Sequence, residues 1–112
     1  MTLADEPFAY VTTRGRTSGL LLEIEIWFAL EGATLYMLSG AGERAHWVKN
    51  LKRDPNVRVR IGERCFMGHG RLVDDPVEDA RTRELLGTKY DEGEDSEWRQ
   101  TALAVAIDLR AE

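Results

Sequence analysis

At 112 residues the chain can enclose one hydrophobic core, which excludes a second domain. A hydrophobic content of 43% with 31% charged residues is that of an ordinary globular chain, and no apolar run approaches the ~20 residues of a membrane helix. The net charge of −5 conceals an asymmetry, because residues 10–64 carry nine Lys/Arg against six Asp/Glu while residues 65–112 carry six against twelve; this argues against a non-specific nucleic-acid binder and for a local pocket that takes a small anion.

The single cysteine, Cys65, excludes an internal disulfide and fits a reducing cytoplasm. Residues 1–6 lack the basic and apolar regions of a signal peptide. Phe8-Ala9-Tyr10-Val11-Thr12-Thr13 is rich in aromatic and β-branched residues and predicts a strand. Arg14 to Gly19 follows as a glycine-punctuated turn with two guanidiniums and two hydroxyls, chemistry that suits either a phosphate or carboxylate cradle or a solvated hairpin. The glycine spacing is not that of a nucleotide P-loop.

Leu20 to Leu30 reads as one long strand, with Glu23 and Glu25 on the face opposite Leu22, Ile24 and Ile26. The two carboxylates are expected on a solvated face or paired with basic residues of a neighbouring strand. Glu31 to Thr34 makes a hairpin turn into a strand at Thr34–Leu38. Ser39-Gly40-Ala41-Gly42 then brings small residues to the start of a helix predicted from Gly42 or Glu43 to Lys52. A glycine-rich turn feeding a helix is suited to an anion. Trp47 and Leu51 share one helix face and His46 and Asn50 the next; they serve either as core anchors or as an aromatic and an amide that grip a flat polar ring. Asp54-Pro55 ends the helix, and Val57 to Ile61 alternates as a half-buried strand does.

Gly62-Glu63 turns the chain into a strand at Arg64–Val73, where Gly68 and Gly70 around His69 predict a bulge or a bend. Neither His46 nor His69 has metal-ligand spacing to the other or to Cys65, so no metal is expected. Asp75-Pro76 starts a helix predicted to reach about Leu86 and to be capped by Gly87. The acidic run Asp91–Asp95 is expected to be a mobile loop, Ser96–Gln100 a helical turn, and Ala102–Leu109 a final strand. About six mostly antiparallel strands with two flanking helices make a mainly β (α+β) fold, a small β-barrel.

Two stretches resemble the motifs of a known family. Val11-Thr12-Thr13-Arg14-Gly15-Arg16-Thr17-Ser18-Gly19 is similar to an opening TT-x-GR-x-[ST]-G motif, and His46 to Val57 to an x-W-x-x-NL-x-x-[ND]-P-x-V motif. Both belong to the deazaflavin-dependent nitroreductases, flavin/deazaflavin oxidoreductases with a split β-barrel like that of pyridoxamine-phosphate oxidases. The order of elements matches from Phe8 to Leu109. The resemblance implies a reductase that moves a hydride between coenzyme F420, which has a flat ring, a phosphodiester and an acidic glutamyl tail, and a small organic acceptor such as a quinone, a nitroaromatic or an enone. It implies cofactor-binding roles for Thr13, Arg14, Arg16, Thr17, Ser18, Ser39, Gly40, Ala41, Trp47 and Asn50, with Arg16 meeting an anionic group and no catalytic side chain. The acceptor is expected near Tyr90 and Trp98.

The chain departs from the family pattern at Thr17, at Leu21-Leu22 and at Gly40–Gly42, positions where the family often carries cations or a Pro-Arg pair. Arg14, Arg44, Lys49 or Arg53 would compensate. These departures leave FMN, with its single phosphate, as the alternative cofactor, and a non-catalytic cofactor binder as the alternative function. The first strand lies close to the chain start, so the pocket is expected to be open or completed by a partner subunit. Leu21 and Trp27, on the face opposite Leu22, Ile24, Ile26 and Phe28, predict a homodimer.

Overall fold

The computed structural model describes residues 2–110. Seven strands form one antiparallel sheet: β1 (Ala9–Arg14), β2 (Leu21–Ile26), β3 (Ala29–Glu31), β4 (Thr34–Ser39), β5 (Asn56–Ile61), β6 (Arg64–Leu72) and β7 (Leu103–Arg110). Their spatial order is β2-β1-β5-β6-β7-β4-β3. β2 and β3 are the two edges of this sheet, yet only Trp27 and Phe28 separate them along the chain. Two residues span little more than ~10 Å even when extended, so the sheet must curl until its edges approach. The result is the half-barrel of a split-barrel fold, with three helices: α1 (His46–Arg53), α2 (Pro76–Lys89) and α3 (Glu97–Thr101).

The predicted Leu20–Leu30 strand is therefore two strands and the count is seven rather than six. The break falls at Trp27-Phe28 because a side chain takes the place of a partner strand there. The Phe28 N–H donates to Tyr90 Oη at 2.9 Å, and the Tyr90 hydroxyl lies 3.0 Å from the Phe28 carbonyl and 2.9 Å from the Pro7 carbonyl. Phe28 is fully buried at this corner. The Lys89 ammonium, buried without a hydrogen-bond partner among the described residues, sits 3.6 Å above the Phe28 ring as a cation–π contact.

Strict alternation sends Val11, Val57, Val59, Ile61, Leu35, Met37, Val105 and Ile107 into the concave side of the sheet. α1 closes this interior with Trp47, Val48 and Leu51. The convex side of β3, β4 and β7 is covered by α2, whose Leu86 packs with Ala104, Ala106, Tyr36 and Leu38. Alanines on β7 let the helix approach closely. Arg71 fastens α2 to the sheet by donating to both Glu78 oxygens, at 2.7 and 2.8 Å, and to Asp108 at 2.8 Å, while the Tyr36 hydroxyl donates to Glu78 at 2.7 Å. The hydrogen bond from Arg71 holds both carboxyl groups below their usual range, and burial with the Glu78 bond pushes Tyr36 up to about 12.

Glu23 and Glu25 stay on the open convex face, where Glu25 accepts from the Tyr10 hydroxyl at 2.7 Å and Glu23 lies 4.0 Å from Arg60. Three local expectations are corrected. The helix predicted from Gly42 is a 3-10 turn at Gly42–Arg44, a break at Ala45 with ψ 135°, and then α1. β6 keeps an unbroken register with β5 and β7 through Gly68 and Gly70, so there is no bulge. Gly87 does not end α2 but lies buried inside it, where a Cβ would come within 2.7 Å of the Glu92 carbonyl and the Arg99 guanidinium. The acidic segment that follows is tied down through the Glu92 N–H on the Gly87 carbonyl at 2.8 Å and the Arg99 guanidinium on the Glu92 carbonyl at 3.0 Å.

Candidate functional site

β1 ends in the turn Gly15–Gly19, which closes on itself through the Gly15 N–H on Leu20 O at 2.7 Å and the Gly19 N–H on Gly15 O at 2.9 Å. The Ser18 hydroxyl oxygen accepts from the Leu20 N–H at 3.1 Å, so it shapes the turn from within. α1 runs beneath the same turn, and Asn50 joins the two. Its Oδ1 accepts from the Arg16 main-chain N–H at 3.2 Å and from Arg16 Nη1 at 2.9 Å, while its Nδ2 donates to Thr13 Oγ1 at 3.3 Å. Thr13 and Asn50 are 1% and 2% exposed, and both polar atoms of the buried carboxamide find partners in this junction. The far side of the Arg16 guanidinium meets His46 Nδ1 at 3.3 Å. Arg16 itself and Thr17 remain exposed.

Two shallow cavities open above the junction. One, of about 470 Å³, is lined by Arg14 to Gly19 with Arg53 and Asp54. The other, of about 550 Å³, is lined by Arg16, Thr17, Lys49, Lys52 and Arg53 and has no carboxylate in its wall. That donor set fits a multiply anionic group. Lys49 and Arg53, on α1, stand beside Arg16 in this wall. Lys52 is also engaged with Glu43, and Arg44 reaches the Ala41 carbonyl at 3.4 Å. Arg14 turns aside, with its guanidinium on Gly19 O at 3.0 Å and 3.9 Å from Asp54.

Ser39 is buried and donates its hydroxyl to Gly42 O at 3.0 Å, so it braces the turn into α1 instead of offering a free hydroxyl. Gly40 and Ala41 are exposed. A Cβ on Gly40 would lie 3.7 Å from Trp98, which meets Trp27 edge-on at 5.5 Å; Trp27 stacks flat on Tyr90 at 4.2 Å. Burial pushes the Tyr90 hydroxyl above its ordinary pKa, the bond with Phe28 acting the other way. Trp47 is 9% exposed and packs in the core cluster beneath α1. Trp27 and the His46–Arg16 contact were not foreseen as parts of the site. The spacing of His46 and Asn50 by one helical turn was the only signal for the latter.

A family model described as F420H(2)-dependent quinone reductase matches residues 1–110. The chain belongs to that family. Its cofactor is coenzyme F420 and its activity that of an F420-dependent reductase, which places F420 ahead of FMN. No curated protein sequence matches the chain. Among solved structures, an F420-H2 dependent reductase superposes with a TM-score of 0.74 at 21% identity, covering 90% of this chain and 93% of that one. A candidate pyridoxamine 5′-phosphate oxidase from Listeria innocua gives 0.74 at 22% identity, covering 96% and 87%. A structure described as a domain-swapped dimer gives 0.73 at 22% identity, covering 93% and 80%. At these identities the likeness speaks to the fold. No described helix is long and apolar enough to cross a membrane.

Proposed function

We propose that the chain binds coenzyme F420 with its anionic groups over the Arg16 turn and α1, and that it reduces a small quinone, nitroaromatic or enone. The observation that carries this reading is the Asn50 junction. One buried side chain holds the Arg16 main chain and guanidinium together and sets them beside the Lys49–Arg53 face of α1. When bound, F420 supplies the hydride. This chain's residues bind and orient: Arg16, Lys49 and Arg53 hold oxyanions, Asn50, steadied by Thr13, holds Arg16, and Trp47 seats α1. The Gly40-Ala41 backbone lines the ring pocket. The Trp27–Tyr90–Trp98 cluster beside Gly40 offers the acceptor a flat apolar wall.

Arg16→Lys is expected to lower F420 affinity, because a lysine keeps the charge but loses the planar fork that spans Asn50 and the ligand. Fluorescence titration of F420 at low and high salt measures this. An Arg16→Lys protein with wild-type affinity and no salt dependence would overturn the assignment.

The same reading includes a homodimer acting in the cytoplasm. Leu20, just before edge strand β2, and Leu21, its first residue, are 72% and 66% exposed, apolar surface that a second copy would cover across a two-fold axis. Trp27, expected beside Leu21 on that surface, stacks on Tyr90 and is also 37% exposed, and Leu22 on the opposite face is itself exposed. Leu21→Glu is therefore the clean probe, expected to halve the mass seen by light scattering. A wild-type mass of 12.7 kDa, unchanged by F420, would exclude the dimer.

A further inference from the structure

An arginine guanidinium carries N–H donors and no acceptor. The 3.3 Å contact between Arg16 Nη2 and His46 Nδ1 is therefore a hydrogen bond only when Nδ1 has its lone pair free and the imidazole is neutral with its hydrogen on Nε2. A proton on Nδ1 would set N–H against N–H and cation against cation. His46 is also the first residue of α1, where the positive end of the helix further disfavours a cation. Arg16 cannot simply move away, because Asn50 Oδ1 grips both its main-chain N–H and its Nη1. The charged groups on the surrounding elements leave this balance in place. Lys49 and Arg53 on α1 add positive charge, Arg44 lies on the Ala41 carbonyl, Glu43 is engaged with Lys52, and Asp54 lies across from Arg14.

An oxyanion on Arg16 reverses that balance. It accepts from Nη2 in place of His46, and its negative charge offsets the repulsion between the two cations. We infer that His46 is a proton-linked second donor of the anion site: neutral against Arg16 in the free protein, it takes one proton from solvent onto Nδ1 when an anionic group of F420 engages Arg16, and then donates to that group. The inference rests on the reading of Arg16 as the cofactor's anion ligand.

The test is F420 titration of the full chain across pH, with His46→Asn as comparison. Asparagine offers an acceptor near the position of Nδ1 but cannot take a proton, and the cofactor's own titrations cancel between the two proteins. From about pH 8 to about pH 6 the wild type is expected to gain roughly fivefold or more in affinity relative to His46→Asn, because only the histidine can take up a proton together with the anion. An F420 analogue lacking the glutamyl tail separates the anion sources: a retained difference assigns the phosphodiester, a lost one the tail carboxylates. Identical pH profiles for wild type and a folded His46→Asn would overturn the inference while leaving the site intact, provided Arg16→Ala weakens binding. If Arg16→Ala binds F420 as wild type does at every pH, the site reading falls and this inference with it.

Discussion

Asn50→Ala is expected to lower F420 affinity about tenfold or more and to destabilise the fold by roughly 1–3 kcal/mol. The stability loss follows from what the carboxamide leaves behind. Thr13 Oγ1 is buried and loses its donor, and the Arg16 main-chain N–H loses its acceptor. The affinity loss follows from the guanidinium, which without Oδ1 must be ordered by the ligand itself. Asn50→Asp separates the two effects. It keeps an acceptor for Arg16, so the turn stays seated, but its charge pairs with the guanidinium that the cofactor needs. It should melt closer to wild type than Asn50→Ala does and still bind F420 more weakly. Denaturant titration and F420 fluorescence measure the two quantities. A folded Asn50→Ala protein with wild-type affinity would remove Arg16 and Asn50 from the site together.

The second large effect is expected at Gly70, on β6 and well separated in sequence from the helix it serves. A Cβ there would lie 2.4 Å from Leu51 Cδ1 and 2.5 Å from Leu51 Cγ, far inside contact distance. Leu51 is 1% exposed and has no room to turn away. Gly70→Ala should therefore push α1 outward, costing about 1–3 kcal/mol as overpacked cores do. Because α1 carries Asn50 and His46, cofactor affinity should fall with stability. Leu51→Ala alone opens a cavity and costs about 2–5 kcal/mol. In the double variant the new methyl enters that cavity, so the two losses should combine to less than their sum, with a coupling of roughly 0.5–3 kcal/mol. Strict additivity in thermal or denaturant melts would mean that α1 does not rest on β6 at this point.

These two sites mark the boundary between local and global information in the chain. The alternation of Val57, Arg58, Val59, Arg60 and Ile61 declared β5 and its buried face, because strand periodicity is written in consecutive residues. Asp75-Pro76 declared the start of α2 in the same way, and Asp75 does accept from the Val77 N–H. The Trp47–Val57 motif placed α1 and its stop. The turn carrying Arg16 was legible as an anion cradle, but a solvated hairpin fitted the same residues.

What the structure adds is a contact between residues 34 positions apart, from Arg16 to Asn50, which no local pattern encodes. Gly68 and Gly70 were visible as glycines, yet their reason is the presence of Ile107 and Leu51 above them, not a bulge in their own strand. Gly87 looked like a helix stop because its neighbours along the chain gave no hint of Arg99 and Glu92 packed against it. The Leu20–Leu30 run is continuous in pattern and broken in space, because Tyr90 supplies the hydrogen bonds that a partner strand would have made. The sequence by itself determined most of the elements, the buried faces of strands such as β5, and the family, since periodicity, capping and motif spacing act over a few residues. The strand order that sets β1 beside β5, the seating of α1 on Gly70 and the junction of Arg16 with Asn50 and His46 were decided by the tertiary structure alone, because each depends on which distant surfaces the curled sheet brings within van der Waals reach.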